Sequence, residues 1–172
     1  MPQTRPVPIA DPKDTSLDPS DWREIRAQGH RMLDDMFDHM AGLRDQPVWR
    51  APTAEARAGF RAPLPTAPGD LAETYAAFAR DILPFSGGNA HPGFMGWVQG
   101  AGTPVGMLAE MLAAGLNSNL GGRDHMPIEV ERQVQAWVRR IFNFPASSSG
   151  LFVTGASQAN FLVALIARTR AL

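Results

Sequence analysis

Only one stretch of this sequence has the pattern of a buried β-strand. Residues 151–154, Leu-Phe-Val-Thr, form a short apolar run that leads into a Gly-Ala-Ser turn and then an amphipathic helical pattern. One strand cannot make a sheet, because each strand needs hydrogen-bonding neighbours. The sequence therefore predicts a mostly helical segment, whose single strand pairs outside these 172 residues or with a second copy.

Helical periodicity accounts for most of the remaining chain. Apolar residues recur at intervals of three and four, and each such stretch follows a residue type that favours a helix start. A short helical piece is also predicted at 54–59, inside a Pro-punctuated segment. The predicted helix starts are Asp18 with Pro19, Asp70, Thr103 with Pro104, and Pro127.

Composition excludes several classes of function. The formal net charge is −1, so the chain has no basic field to hold nucleic acid or an anionic membrane. It contains no Cys, secretory signal or apolar stretch of the roughly 18 residues that a membrane span needs. We expect a cytoplasmic protein without nucleic-acid or membrane partners. We also expect no metal, because His30, Asp34 and Asp38 fit a solvated charge ladder.

The turn at residues 155–157 allows three interpretations. Gly155 can simply permit a turn, with Ser157 capping the next helix. The Gly-x-Ser-x-Ala pattern also resembles a nucleophile elbow, but no His, Asp or Glu follows Ser157 to complete a triad. The third interpretation is a phosphate site, in which N–H groups at the helix start and the Ser157 hydroxyl bind a dianion.

Several motifs in order resemble one enzyme family. These are an HPxF loop at His91–Phe94, the pattern TPxGxLAExLAAxLNxN at 103–119, a Pro-led helix after Pro127, and the final Gly-x-Ser turn. Over roughly residues 18–172 the sequence resembles the group II pyridoxal-5′-phosphate-dependent amino-acid decarboxylases, the family of aromatic-L-amino-acid, glutamate and histidine decarboxylases. Several motifs in the same order as in the family are more specific evidence for the resemblance than the turn alone.

The resemblance implies a fold, a cofactor and a site. It implies an extended arm at 1–17, an N-terminal helical dimerisation segment at 18–84, and at 85–172 the first helices and first strand of the α/β large domain of a fold-type I enzyme. Gly155, Ala156 and Ser157 would bind the phosphate of pyridoxal 5′-phosphate. The implied substrate-pocket residues are His91, Phe94, Trp97 and Asn119.

The sequence departs from the family in its lysines. Decarboxylation on this cofactor needs a Lys that binds it covalently, and in relatives that Lys follows the phosphate turn. Here the only Lys is Lys13, which matches no family position. We therefore expect an N-terminal portion that is inactive alone, with no catalytic residue of its own, and that forms a homodimer or associates with a missing C-terminal part. The alternative is a non-catalytic helical assembly module left by truncation.

Overall fold

The computed structural model describes residues 18–119, 121 and 124–171. Within these ranges the chain forms six α-helices and two short 3-10 turns, at Leu43–Asp45 and Leu83–Phe85, and no β-strand. The predicted arm at 1–17, with Lys13, lies outside the described residues. The helices are α1 (Trp22–Ala41), α2 (Ala54–Gly59), α3 (Leu71–Asp81), α4 (Pro104–Leu116), α5 (Met126–Ile141) and α6 (Ala156–Ala171).

Side-chain caps start the middle helices where the sequence predicts them. Asp70 Oδ1 accepts the Glu73 N–H at 2.9 Å, at the start of α3. Thr103 Oγ1 accepts the Gly106 N–H at 3.0 Å, at the start of α4. Such a bond satisfies one of the N–H groups that a helix N-terminus leaves without an intrahelical acceptor. The predicted starts of α3 and α4 are confirmed.

The predicted start of α1 is wrong by three residues. The N-cap is Asp21, not Asp18, and Pro19 lies before the helix. Asp21 has an extended backbone, its Oδ1 accepts the Arg23 N–H at 2.8 Å, and its carbonyl accepts the Ile25 N–H. Both aspartates are favourable N-cap residues, so residue type alone does not decide between them.

The strand expected at 151–154 is not confirmed. These residues have no regular secondary structure, although they run directly into α6. A strand exists only through hydrogen bonds to a neighbouring strand, and the described residues offer none. The mostly helical character of the segment is confirmed.

The described residues form two compact units, the first up to Glu110 and the second from Met111 onward. In the first unit, α3 packs against both α1 and α2. In the second, the Arg139 guanidinium donates to the carbonyls of Ala146 and Ser148, at 2.9 and 3.2 Å, and so ties the loop after α5 to that helix. The domain boundary after residue 84 stays a prediction.

Most apolar side chains in the described ranges are at least partly accessible. Only Ala56 and Gln28 are buried there. Large apolar residues such as Trp22, Trp137 and Ile141 are more than half exposed. None of the helices in the described ranges combines the length and the apolar character needed to cross a bilayer.

Candidate functional site

The turn before α6 presents the N-terminus of a 16-residue helix. The Gly155 carbonyl accepts the first intrahelical bond, from the Ala159 N–H at 3.1 Å, so Gly155 occupies the N-cap position. A glycine has no side chain with which to accept the N–H groups of the first turn. These N–H groups, at the positive end of the helix dipole, therefore remain available to an external anion.

The turn has room for such an anion. Gly155, Ala156 and Ser157 are all exposed, and a Cβ added to Gly155 would meet no atom within 4 Å. Gly155 does not adopt a positive φ, so backbone conformation does not demand glycine here. The Ser157 hydroxyl has no hydrogen-bond partner among the described residues. Two backbone donors, one hydroxyl donor and open space fit the chemistry of a phosphate ester.

The side chain of Gln158 braces the turn, in that it forms hydrogen bonds to the residue that precedes the turn. Gln158 Oε1 accepts both the backbone N–H of Thr154, at 3.2 Å, and the Thr154 hydroxyl, at 2.8 Å. Both donors of Thr154 are thereby used within the chain. Gln158 was not among the predicted site residues, although its position three residues after the N-cap is where Gln and Glu complete a capping box.

In the first unit, the HPxF loop is held by a close backbone approach. Gly88 has a φ of +77°, and a Cβ at this position would lie 2.0 Å from the Val48 carbonyl oxygen. The Gly88 carbonyl in turn accepts the His91 N–H at 2.9 Å. Only glycine combines this left-handed conformation with so close a backbone neighbour, and this contact sets the position of His91.

The imidazole of His91 has one bonded and one free nitrogen. Nδ1 accepts the Gly93 N–H at 2.8 Å, so in the neutral ring the proton resides on Nε2. Nε2 is buried and has no hydrogen-bond partner in the described part of the chain. A buried donor without an acceptor is costly, and a ligand oxygen would remove that cost.

Phe94 and Trp97 follow on the same loop. Their rings lie 6.2 Å apart between centroids at an interplanar angle of 47°, a tilted contact of the kind that aromatic pairs favour. Trp97 has a φ of +46° and is 85% exposed. The Trp97 ring is therefore accessible apolar surface, whereas Phe94 is partly buried.

His91 also lines a cavity of about 870 Å³ in the first unit, but Phe94 and Trp97 do not. The end of α1, the segment 46–50, the segment 83–90 and the start of α4 contribute its other walls. Two of its polar lining residues, His39 and Glu110, were not predicted from the sequence. Glu110 carried one available signal, because it is the only charged residue in α4. The residues that line the cavity include His39, Trp49, His91, Thr103, Met107 and Glu110.

Asn119 belongs to the second unit and is used locally. Its Oδ1 accepts the Gly121 N–H at 2.8 Å, and its carbonyl oxygen lies 2.9 Å from His125 Nε2. The side-chain oxygen thus shapes the loop before α5. The structure brings His91, Phe94 and Trp97 together in one unit, and it places Asn119 and the turn at 155–157 in the other.

Among the described residues, no cluster of His, Asp and Glu has the composition of a metal site. The Arg80 guanidinium donates to Asp81 at 2.9 Å between Nε and Oδ1, and this hydrogen bond lowers the Asp81 pKa. Because neither residue lines the cavity beside His91, we assign the pair no part in the site.

No family profile matches the chain, but its sequence is similar to those of several decarboxylases. The sequence is 29% identical over 84% of its length to an aromatic-L-amino-acid decarboxylase of Bacillus atrophaeus, and 28% identical over 87% to one of Rattus norvegicus. It is 31% identical over 86% of its length to a tyrosine decarboxylase of Oryza sativa subsp. japonica. It spans only 31%, 34% and 30% of these proteins, respectively.

Solved structures that are similar to this chain are also decarboxylases. Catharanthus roseus tryptophan decarboxylase in complex with L-tryptophan matches 75% of this chain with a TM-score of 0.61 and 26% identity. An Oryza sativa enzyme, TDC with PLP and tryptamine, matches 78% with a TM-score of 0.64 and 18% identity, a likeness of fold alone. The chain covers 28% of each. Sequence and fold therefore agree in placing this chain, as a partial segment, among the group II pyridoxal-5′-phosphate-dependent amino-acid decarboxylases.

Proposed function

We propose that this chain is an N-terminal portion of a pyridoxal-phosphate-dependent amino-acid decarboxylase and supplies its phosphate-binding turn and part of its substrate pocket. The observation that carries the proposal is the exposed N-terminus of α6, whose N-cap Gly155 leaves the first-turn N–H groups without a side-chain acceptor. The relatives are decarboxylases, and one similar structure contains PLP.

The phosphate contacts follow from the residues of the turn. The backbone N–H groups of Ala156 and Ser157 and the Ser157 hydroxyl would donate to the phosphate oxygens, and the dipole of α6 would add to the attraction. When bound, pyridoxal phosphate supplies an electron-accepting ring that stabilises the negative charge left as carbon dioxide departs. The turn's own task is to hold and orient the cofactor through its phosphate.

The substrate pocket is proposed to use the HPxF loop. His91 would donate from Nε2–H to an oxygen of the amino-acid substrate, and Phe94 and Trp97 would provide apolar walls. The role of Asn119 in substrate binding stays a prediction. Aromatic amino acids are the first substrates to test, because the names of the relatives specify them. We assign no catalytic residue to these 172 residues and expect the isolated chain to be inactive.

The phosphate turn can be tested with pyridoxine 5′-phosphate, which has no aldehyde and so cannot form an adduct with Lys13. Isothermal titration should show saturable binding of this probe but not of pyridoxine, and inorganic phosphate should compete. Ser157→Ala should weaken binding about tenfold or more, since a hydrogen bond to a charged group contributes about 1.5–3 kcal/mol. Ser149→Ala is the matched control in the same unit. Equal binding of pyridoxine and its phosphate would contradict the proposal.

A second candidate function is assembly as a homodimer. It is favoured by the small number of buried residues in the described ranges and by the apolar side chains that α1 and α5 expose. Sedimentation equilibrium should detect a dimer without cofactor. Trp22→Gln should shift the equilibrium toward monomer, whereas Glu24→Gln, at an exposed position on the opposite side of the same helix, should not. A wild-type monomer at high concentration would refute this candidate.

A further inference from the structure

We infer that Gln158 is a positioning residue for the phosphate turn, an inference that rests on the function proposed above. Its side-chain oxygen accepts both donors of Thr154, the backbone N–H at 3.2 Å and the hydroxyl at 2.8 Å. The residue would act through Thr154, by fixing the backbone that enters the turn, and it would not touch the phosphate itself.

The geometry is a capping box displaced by one residue. In the usual arrangement, Gln or Glu at the third helical position accepts the N–H of the N-cap residue. Here Gln158 occupies that third position of α6, but it accepts the N–H of Thr154, one residue before the N-cap Gly155. The N-cap N–H is therefore left unused by this side chain.

This displacement divides the donors of the turn into two groups. Thr154 is saturated, because Gln158 accepts both its donors. By contrast, the N–H groups of Gly155, Ala156 and Ser157 have no acceptor among the described residues. A bound dianion would thus accept hydrogen bonds from consecutive free N–H groups. Their direction is set by Thr154, the preceding residue, which is held by Gln158. Preorganised donors bind an anion more tightly than donors that must first be ordered.

The alternative is a purely structural role, in which Gln158 only stabilises the start of α6. The positioning role and the structural role differ in which residues should respond when the Gln158 side chain is removed. If Gln158 positions the turn, its loss should speed amide hydrogen exchange at residues 154–157 and weaken ligand binding. If it only stabilises the helix, its loss should speed amide hydrogen exchange throughout α6. Hydrogen exchange read residue by residue separates the two.

The test measures pyridoxine 5′-phosphate affinity and amide exchange on the full chain. Gln158→Ala should weaken binding about tenfold, equivalent to about 1.4 kcal/mol, and speed exchange at residues 154–157 but not in the last two turns of α6. Gln158→Glu, which retains an acceptor, should keep exchange at residues 154–157 close to that of wild type, although its added charge lies near enough to the phosphate to lower affinity by repulsion. Thr154→Val should resemble Gln158→Ala in direction, and Thr154→Ser should resemble wild type.

The outcomes are distinguishable. If wild type does not bind the probe, the proposed phosphate site and this inference both fail. If wild type binds and Gln158→Ala binds equally well, only the inference about Gln158 fails. It also fails if exchange rises uniformly along α6 or if Gln158→Glu does not retain slow exchange at residues 154–157.

Discussion

The phenolic oxygen of Tyr75, on α3, donates a 2.7 Å hydrogen bond to Oδ2 of Asp35, on α1. The bond joins residues 40 positions apart and is a specific polar link between two helices that pack against each other. It also raises the pKa of Tyr75 to about 12, chiefly because the neutral phenol is the hydrogen-bond donor, with smaller contributions from burial and the carboxylate charge.

Titration of this phenol gives the first prediction. Because Tyr75 is the only tyrosine, its phenolate absorbance reports one group, and the midpoint should be near 12 in wild type. Asp35→Ala should lower it toward the ordinary value of about 10, whereas Asp34→Ala should not. A raised folded-state pKa means that the contribution to stability is complete below about 10 and is lost as the pH rises through about 12.

Substitution of Gly88 gives the second prediction. Gly88→Ala should lower the free energy of unfolding of the first unit by about 2 kcal/mol or more, because it combines a left-handed backbone with a collision against the Val48 carbonyl. Gly87→Ala is the matched control, since its Cβ would meet only a side-chain oxygen at 3.7 Å. Urea unfolding measures both, and equal losses would contradict the assigned role of Gly88.

Local capping chemistry explains which helices could be predicted from sequence. Asp70 and Thr103 each have the right residue type immediately before an apolar periodic stretch, and a cap needs only its own next few residues to form. The start of α1 was missed because Asp18 and Asp21 both satisfy that rule. The local sequence pattern therefore does not choose between them.

The features that depend on distant contacts could not be predicted. A strand at 151–154 requires neighbours that no local pattern supplies. The cavity beside His91 brings together several separate segments, so His39 and Glu110 became visible as lining residues only in three dimensions. The turn at 155–157 was predictable because strand-like run, glycine and helix are contiguous, yet its brace by Gln158 needed the observed side-chain geometry.

The tautomer of His91 gives the third prediction. Because Nδ1 accepts the Gly93 N–H, the neutral ring should be the Nε2–H tautomer, and long-range ¹H–¹⁵N correlation spectra distinguish the two forms. Gly93→Pro removes the donated N–H and should abolish the preference. A wild-type spectrum dominated by the Nδ1–H form would contradict the proposed donor role of Nε2.

The N-cap of α1 gives the fourth prediction. Asp21→Ala should cost about 1 kcal/mol and speed hydrogen exchange in the first turn of α1, because the Arg23 N–H loses its acceptor. Asp21→Asn retains a side-chain oxygen acceptor and should preserve most of the stability. If Asp21→Ala leaves first-turn exchange unchanged, Asp21 is not the functional cap in solution.

Substitution of Gly155 gives the fifth prediction, in which stability and binding move in opposite directions. Gly155→Asp adds a carboxylate at the N-cap of α6, where it can accept the first-turn N–H groups and interact favourably with the helix dipole, so α6 should become more stable by about 0.5 kcal/mol. The same carboxylate competes with a phosphate for those donors and repels it, so pyridoxine 5′-phosphate affinity should fall about tenfold or more. Gly155→Ala, whose Cβ enters open space, should change affinity much less. If Gly155→Asp bound the probe as well as wild type, the first-turn N–H groups of α6 would not be the phosphate donors.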